Sequence, residues 1–300
     1  MNKYVKLLGI VIGLMVGPVR AEIALVAVAS NFSGAIKELE QVFEMESGHL
    51  IETVFGSSGR FFTQINNGAP FHVFLSADQE KPVALNKAGL VVEESRFTYA
   101  LGKLVLWSSQ SNLVDSTGQV LKQNNFRRLA IANPRLAPYG IAAIEALENL
   151  GLVSGIQGKI IQGENIAQAY QFVSTGNVEL GLVAFSQVLQ QDRITSGSSW
   201  IIPANLYNPI RQDAVLLRKG ANNQAAIAFL KFIRSEPGRA IIESFGYQVE
   251  MRGYGFFRCR HHRDPVNTPT SSNCHSGIDC SRYTDCVVVG AITVMAKRSD

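Results

Sequence analysis

Residues Ile23 to Val28 form an unbroken apolar run, the pattern of a strand buried on both faces of a parallel sheet. Ser30 and Asn31, both favoured at helix N-caps, follow at once. Phe32, Ile36, Leu39 and Phe43 then recur at helical spacing up to Gly48. The strand–turn–helix unit repeats: Ile51 to Phe55 predicts a strand, Gly56-Ser57-Ser58-Gly59 a turn, and Phe61, Phe62 and Ile65 a short helix that stops near Gly68. Phe71 to Leu75 predicts a third strand, and Asp78 the cap of a helix that Gly89 ends. Further strands are expected at Leu101 to Trp107, Leu129 to Ala132, Ile160-Ile161, Leu180 to Phe185 and Ala214 to Leu217. Further helices are expected from Pro138 to Gly151, from Asn165 through Val173, across Ile227, Leu230 and Ile233, and from Pro237 onward. Strands alternating with helices predict an α/β fold with mostly parallel sheets. No short internal repeat and no Pro- or Ser-rich linker interrupts it.

The two ends of the chain break this pattern. Lys3 and Lys6, the apolar stretch Leu7 to Val16, and Val19-Arg20-Ala21 read as the charged, apolar and cleavage regions of a secretory signal over 1–21. The apolar stretch is too short for a bilayer-spanning helix and Pro18 ends it, so a soluble exported protein is expected. Residues 251–300 carry all four cysteines (Cys259, Cys274, Cys280, Cys286) and three of the five histidines. Their spacing has no C-x2-C pair, which argues against a zinc module. This atypical tail is expected to be disordered or appended rather than part of the fold.

The chain has 300 residues, 46% hydrophobic and 17% charged, enough for a sizeable core in one or two domains. That composition excludes a disordered chain, a disulfide scaffold and a multi-pass membrane protein. The net charge of +4 belongs to the ends, because residues 22–250 hold 18 basic and 20 acidic side chains. A broad basic surface for nucleic acid is therefore not expected.

The candidate chemistry lies in three turns. Ser30-Asn31, Ser57-Ser58 and Tyr139-Gly140 each open a predicted helix, where free N–H groups and the positive end of the helix dipole favour an anion. Alone, each is an ordinary cap; a site requires that they converge. Catalytic patterns are weaker. Gly56-Ser57-Ser58-Gly59 is one residue short of a nucleophile elbow, and His49 and His72, the only histidines in 22–250, have no evident carboxylate partner. No phosphate-loop or dinucleotide fingerprint is present. An exported serine hydrolase using Ser57 or Ser58 stays open as the enzymatic alternative.

The order of these pieces resembles the periplasmic molybdate-binding proteins of ABC transporters across 22–250. The matching segments are Ala27 to Phe32, Phe55 to Gly59, Asn66 to Pro70 running into Phe74 to Asp78, Asn133-Pro134 with Pro138-Tyr139-Gly140, Gly181-Leu182-Val183 and the closing Phe245-Gly246-Tyr247. The resemblance implies a type II periplasmic binding protein fold. In that fold two α/β lobes are joined by two crossover strands that act as the hinge, and the ligand cleft lies between them. It places lobe 1 at 22–101 plus 212–250 and lobe 2 at 102–211. It implies a non-enzymatic receptor without cofactor, expected as a periplasmic monomer that delivers molybdate or tungstate to an inner-membrane permease.

The oxyanion ligands implied by the resemblance are Ser30, Asn31 and Ser58 from lobe 1 and Tyr139 and Ile166 from lobe 2, holding molybdenum through its oxygens only. Serines 30 and 58 match hydroxyl donors; Tyr139 and Ile166 match backbone N–H donors. Many relatives carry a Tyr hydroxyl where this chain has Ala184, and Asn31 is expected to supply the missing donor. Neutral donors suit a dianion with four acceptor oxygens and no proton. Phosphate, which keeps a proton near neutral pH, would need an acceptor, and sulfate would have to be excluded by size. Another small oxyanion such as sulfate or thiosulfate is the alternative ligand.

Overall fold

The computed structural model describes residues 21–190, 193–194 and 196–250, together with two short strands near the C-terminus. The signal-peptide reading of 1–21 and most of the tail reading therefore fall outside the described residues.

In chain order the first elements are β1 (Ile23–Ala29), a 3-10 turn (Ser30–Phe32), α1 (Ser33–Ser47), β2 (Leu50–Gly56), α2 (Ser58–Asn66), β3 (Val73–Leu75), α3 (Glu80–Lys87) and β4 (Phe97–Gly102). Next come β5 (Leu104–Ser108), α4 (Gln119–Lys122), β6 (Leu129–Ala132), α5 (Pro138–Asn149), α6 (Val153–Ile156), β7 (Ile160–Gly163), α7 (Ile166–Ser174), β8 (Leu180–Ala184) and α8 (Phe185–Val188). The short pair β9 (Leu189–Gln190) and β10 (Arg193–Ile194) precedes β11 (Ser198–Ile201), β12 (Ile210–Leu216), α9 (Gln224–Ile233) and α10 (Glu236–Ser244). In a separate unit, β13 (Val287–Val289) pairs antiparallel with β14 (Ile292–Val294).

These elements build two five-stranded sheets, ordered β2-β1-β3-β12-β4 and β11-β5-β8-β6-β7. The chain passes between them twice: after Gly102, with only Lys103 before β5, and between β11 and β12. The stretch 101–107, expected as one strand, is thus divided between two strands in different sheets. Leu101 and Gly102 are half-buried and Leu104 to Trp107 buried, and the break falls at Lys103, the one polar residue of the stretch. Both sheets are mixed rather than mostly parallel. In the first, β1 pairs parallel with β2 and β3, whereas β12 runs antiparallel to β3 and β4. In the second, β6 pairs parallel with β7 and β8, whereas β5 runs antiparallel to β8 and β11. The antiparallel pairs all involve strands next to the two crossings.

Helices cover both faces of the first sheet, which explains the continuous apolar run of β1. Val26 and Val28 pack with Phe32, Ile36, Leu39 and Phe43 against Phe229 and Ile233 of α9. Ala27 faces the other way, toward Phe61, Ile65, Phe71 and Phe74. Each fully buried Phe, Ile or Leu contributes roughly 1.5–3 kcal/mol of apolar burial. The second sheet has its own core around Leu104, Leu106, Ile131, Leu147 and Val183, into which Ala29 and Ala77 from the first also insert. Asp78 is not the N-cap residue of α3, which is Gln79, but its Oδ1 still accepts the Lys81 N–H at 3.1 Å. No helix among the described residues is long and apolar enough to cross a membrane.

Candidate functional site

The parallel register places the two serine turns side by side. Ala29 pairs with Gly56 at the carboxyl ends of β1 and β2, so Ser30 and Ser57-Ser58 leave adjacent strands at the same edge. Clefts at the carboxyl edge of α/β sheets are where such folds bind ligands. Ser57 caps α2, its Oγ accepting the Arg60 N–H at 3.4 Å. Ser58 is fully buried; its Oγ accepts the Ala77 N–H at 2.9 Å, which leaves its own O–H to donate. Ser30 Oγ is buried with no hydrogen-bond partner. A hydroxyl in that state costs free energy unless something else occupies its donor.

The second sheet presents its carboxyl edge in the same way. Pro138 starts α5 without a side-chain cap, so the Tyr139 N–H, in the first turn, has no intrahelical acceptor. Asn165 caps α7 through the Gln168 N–H at 3.0 Å, leaving the Ile166 N–H of the same turn uncapped. An added Cβ at Gly140 would lie 2.3 Å from Ala132 O, so only glycine lets α5 start this close to the end of β6.

The two edges converge. Helix α7 touches the Ser30–Phe32 turn, and Ala29 and Ala77 share a buried cluster with Tyr139 and Ile166. A groove of about 240 Å³ runs alongside, lined by Ala77, Asp78 and Gln79 on one side and Pro138, Ile141 and Ala142 on the other. All five residues expected at the site are buried, and none carries a charge.

One of these side chains, that of Asn31, is committed to other partners than the one expected. Both Nδ2 hydrogens of Asn31 are taken, by Gln212 Oε1 at 2.8 Å and Tyr247 Oη at 3.0 Å. The donor Asn31 keeps for a ligand is its backbone N–H, in the first turn of the 3-10 segment. The Tyr139 hydroxyl likewise faces the hinge, 3.4 Å from Gln212 Nε2. A Cβ on Gly102 would lie 2.0 Å from that hydroxyl, so the first crossing needs glycine there.

Behind the turns lies a buried polar network that sequence reading did not find. Tyr247 Oη lies 2.9 Å from Ser186 Oγ, and Ser186 Oγ lies 3.0 Å from the Asn31 carbonyl. The Tyr247 hydroxyl also lies 2.8 Å from the Asn31 carbonyl, so Asn31, Tyr247 and Ser186 form one connected cluster. Tyr99 Oη adds a bond to Gln212 Oε1 at 3.1 Å. Burial drives the phenols of Tyr99, Tyr139 and Tyr247 above their ordinary value, so they remain neutral donors. The only sequence signal for this network was the closing Phe245-Gly246-Tyr247, which carried no role.

The histidines do not support a hydrolase. His49 Nδ1 accepts the Glu22 N–H and His72 Nδ1 accepts the Leu25 N–H, near the amino end of β1 and so opposite the serine turns. Neither reaches Ser57 or Ser58 as a general base, a role that requires direct or one-water contact. Among the described residues no cluster of His, Cys, Asp and Glu could hold a bare metal ion.

The model of the bacterial extracellular solute-binding protein family matches residues 24–248. The chain belongs to that family. This solute-binding protein is 49% identical over 238 residues to the molybdate-binding protein ModA of Azotobacter vinelandii, covering 79% of this chain and 94% of that one. It is 46% identical over 243 residues to ModA of Rhodobacter capsulatus, covering 81% and 94%. Among solved structures, the periplasmic molybdate-binding protein of Azotobacter vinelandii superposes with a TM-score of 0.74 at 40% identity, over 76% of this chain and all of that one. The two-lobed α/β architecture is therefore that of a solute-binding protein.

Proposed function

We propose that the protein captures molybdate, or the similar tungstate, in the cleft between its two lobes and delivers it to an ABC permease. The lobes divide at the two crossings, after Gly102 and between β11 and β12. Ser30 and Ser58 donate hydroxyls, and the backbone N–H groups of Asn31, Tyr139 and Ile166 complete the shell. The chain works as an exported periplasmic monomer, and it binds its ligand without transforming it.

The observation that carries this reading is the unpaired, buried hydroxyl of Ser30. It stands at a helix start, beside a second buried serine and facing two further helix starts from the other lobe. Such a set offers neutral donors and no carboxylate. A tetrahedral dianion with four acceptor oxygens satisfies it, whereas a protonated phosphate brings a donor that finds no acceptor. The names of the relatives point to the same ligand. Isothermal calorimetry with molybdate, tungstate, sulfate and phosphate tests the reading. Tight binding of molybdate and tungstate alone is expected. No heat with molybdate at micromolar protein would end it, and a sulfate response of equal strength would transfer the site to a smaller anion.

A further inference from the structure

The two lobes touch beside the proposed anion site, backbone against backbone. Gly59, the second residue of α2, donates its N–H to the Leu136 carbonyl, N···O 2.8 Å. Leu136 lies in the loop between β6 and α5. A Cβ built on Gly59 would lie 2.9 Å from Leu136 O and 3.0 Å from Leu136 Cα, so a side chain there pushes the main chain of α2 and of Leu136 apart. On one side the contact is next to Ser58, and on the other it is three residues before Tyr139. One residue along, Arg60 faces Glu164 at 3.7 Å, and Glu164 precedes the Asn165-Ile166 start of α7. That exposed ion pair contributes little by itself.

We propose that Gly59 is a specificity-determining residue. Its backbone contact with Leu136 is the stop that fixes how near the donors of α2 come to those of α5 and α7, and so the size of tetrahedral oxyanion the hollow holds. The inference rests on the oxyanion reading above. A hydrogen-bonded amide and carbonyl do not approach nearer than about 2.7 Å. Two lobes that already meet through main chain therefore do not shrink around a smaller guest. Sulfate leaves some donors out of reach and unsatisfied, whereas a larger tetrahedron spans the fixed gap.

Calorimetry, small-angle scattering and thermal melts of the wild type, Gly59→Ala and Gly59→Leu, with molybdate and with sulfate, test the proposal. Alanine and leucine both favour the helix over glycine, which offsets the loss of the one contact with Leu136, so the ligand-free Tm is expected to change little. Molybdate affinity is expected to fall at least about tenfold in Gly59→Ala and further in Gly59→Leu, since every donor recedes from the anion. The preference for molybdate over sulfate narrows, and the contraction that molybdate produces in the wild type diminishes. Affinity and preference within about twofold of wild type in both variants would overturn the proposal. A ligand-free Tm that falls in step with affinity would also overturn it, because Gly59 would then be a packing position. A wild type that gives no heat with molybdate removes the oxyanion reading itself, whatever the variants do.

Discussion

The two halves of the proposed site use different chemistry. The first lobe brings side-chain hydroxyls, Ser30 and Ser58, each at the end of a strand. The second brings only main chain, at the starts of α5 and α7, with Tyr139 and Ile166 turning their side chains into the protein. Recognition by hydroxyls depends on residue identity. Recognition by helix starts depends on where the helix begins and tolerates many side chains there. Substitution is therefore expected to disturb binding more in the first lobe than in the second.

Removing both hydroxyls tests the asymmetry hardest. Each hydrogen bond to a charged group contributes roughly 1.5–3 kcal/mol. Ser30→Ala with Ser58→Ala is therefore expected to weaken molybdate binding by about 10²–10⁴-fold, read by calorimetry. A loss under tenfold would mean that the first lobe, like the second, grips by main chain.

The single variants divide the two serines. Each is expected to lower affinity by about 10- to 100-fold. Their effects on the ligand-free fold differ in sign. Ser58→Ala strands the buried Ala77 N–H that now bonds to Ser58 Oγ, a loss of about 1–3 kcal/mol. Ser30→Ala removes a buried hydroxyl that has no partner, so stability is unchanged or slightly raised. Urea denaturation without ligand reads the contrast, and equal destabilisation of both variants would refute it.

The network behind the site predicts a pH response. Burial raises the phenols of Tyr99, Tyr139 and Tyr247, so the fold prefers their neutral form. Their contribution is fully present below the ordinary tyrosine value of 10.0 and is lost as pH rises beyond it, when the unfolded chain ionises first. Thermal melts are expected to fall steeply above that pH. Molybdate affinity should stay level from about pH 6 to 9, because no donor in the site titrates there. A step in affinity within that range would place an ionisable group among the ligands.

The smallest effect is expected in the second lobe. Ile166→Val keeps the backbone donor and trims one buried methylene, so stability falls by about 0.5–1.5 kcal/mol. Affinity is expected to remain within about twofold. A larger drop would show that the side chain, and not its N–H, meets the anion.

Local pattern determined most of the elements. The run from Ile23 to Val28 is a doubly covered strand, Asn165 caps α7, and Pro138 opens α5, because apolar periodicity and capping chemistry are properties of neighbouring residues. It also marked Ser30-Asn31, Ser57-Ser58 and Tyr139-Gly140 as helix starts, whereas Ile166 as a site residue came from the resemblance alone. Pattern did not reveal that 101–107 is two strands, since the boundary is set by which sheet each one joins. Nor did it show that the amide of Asn31 is committed to Gln212 and Tyr247, residues 181 and 216 positions away. Hydrogen-bond partners so distant in the chain leave no periodic trace. Only the tertiary packing that brings β12 and the segment after α10 against the turn following β1 chooses them, and the same packing settles which donors remain free for a guest.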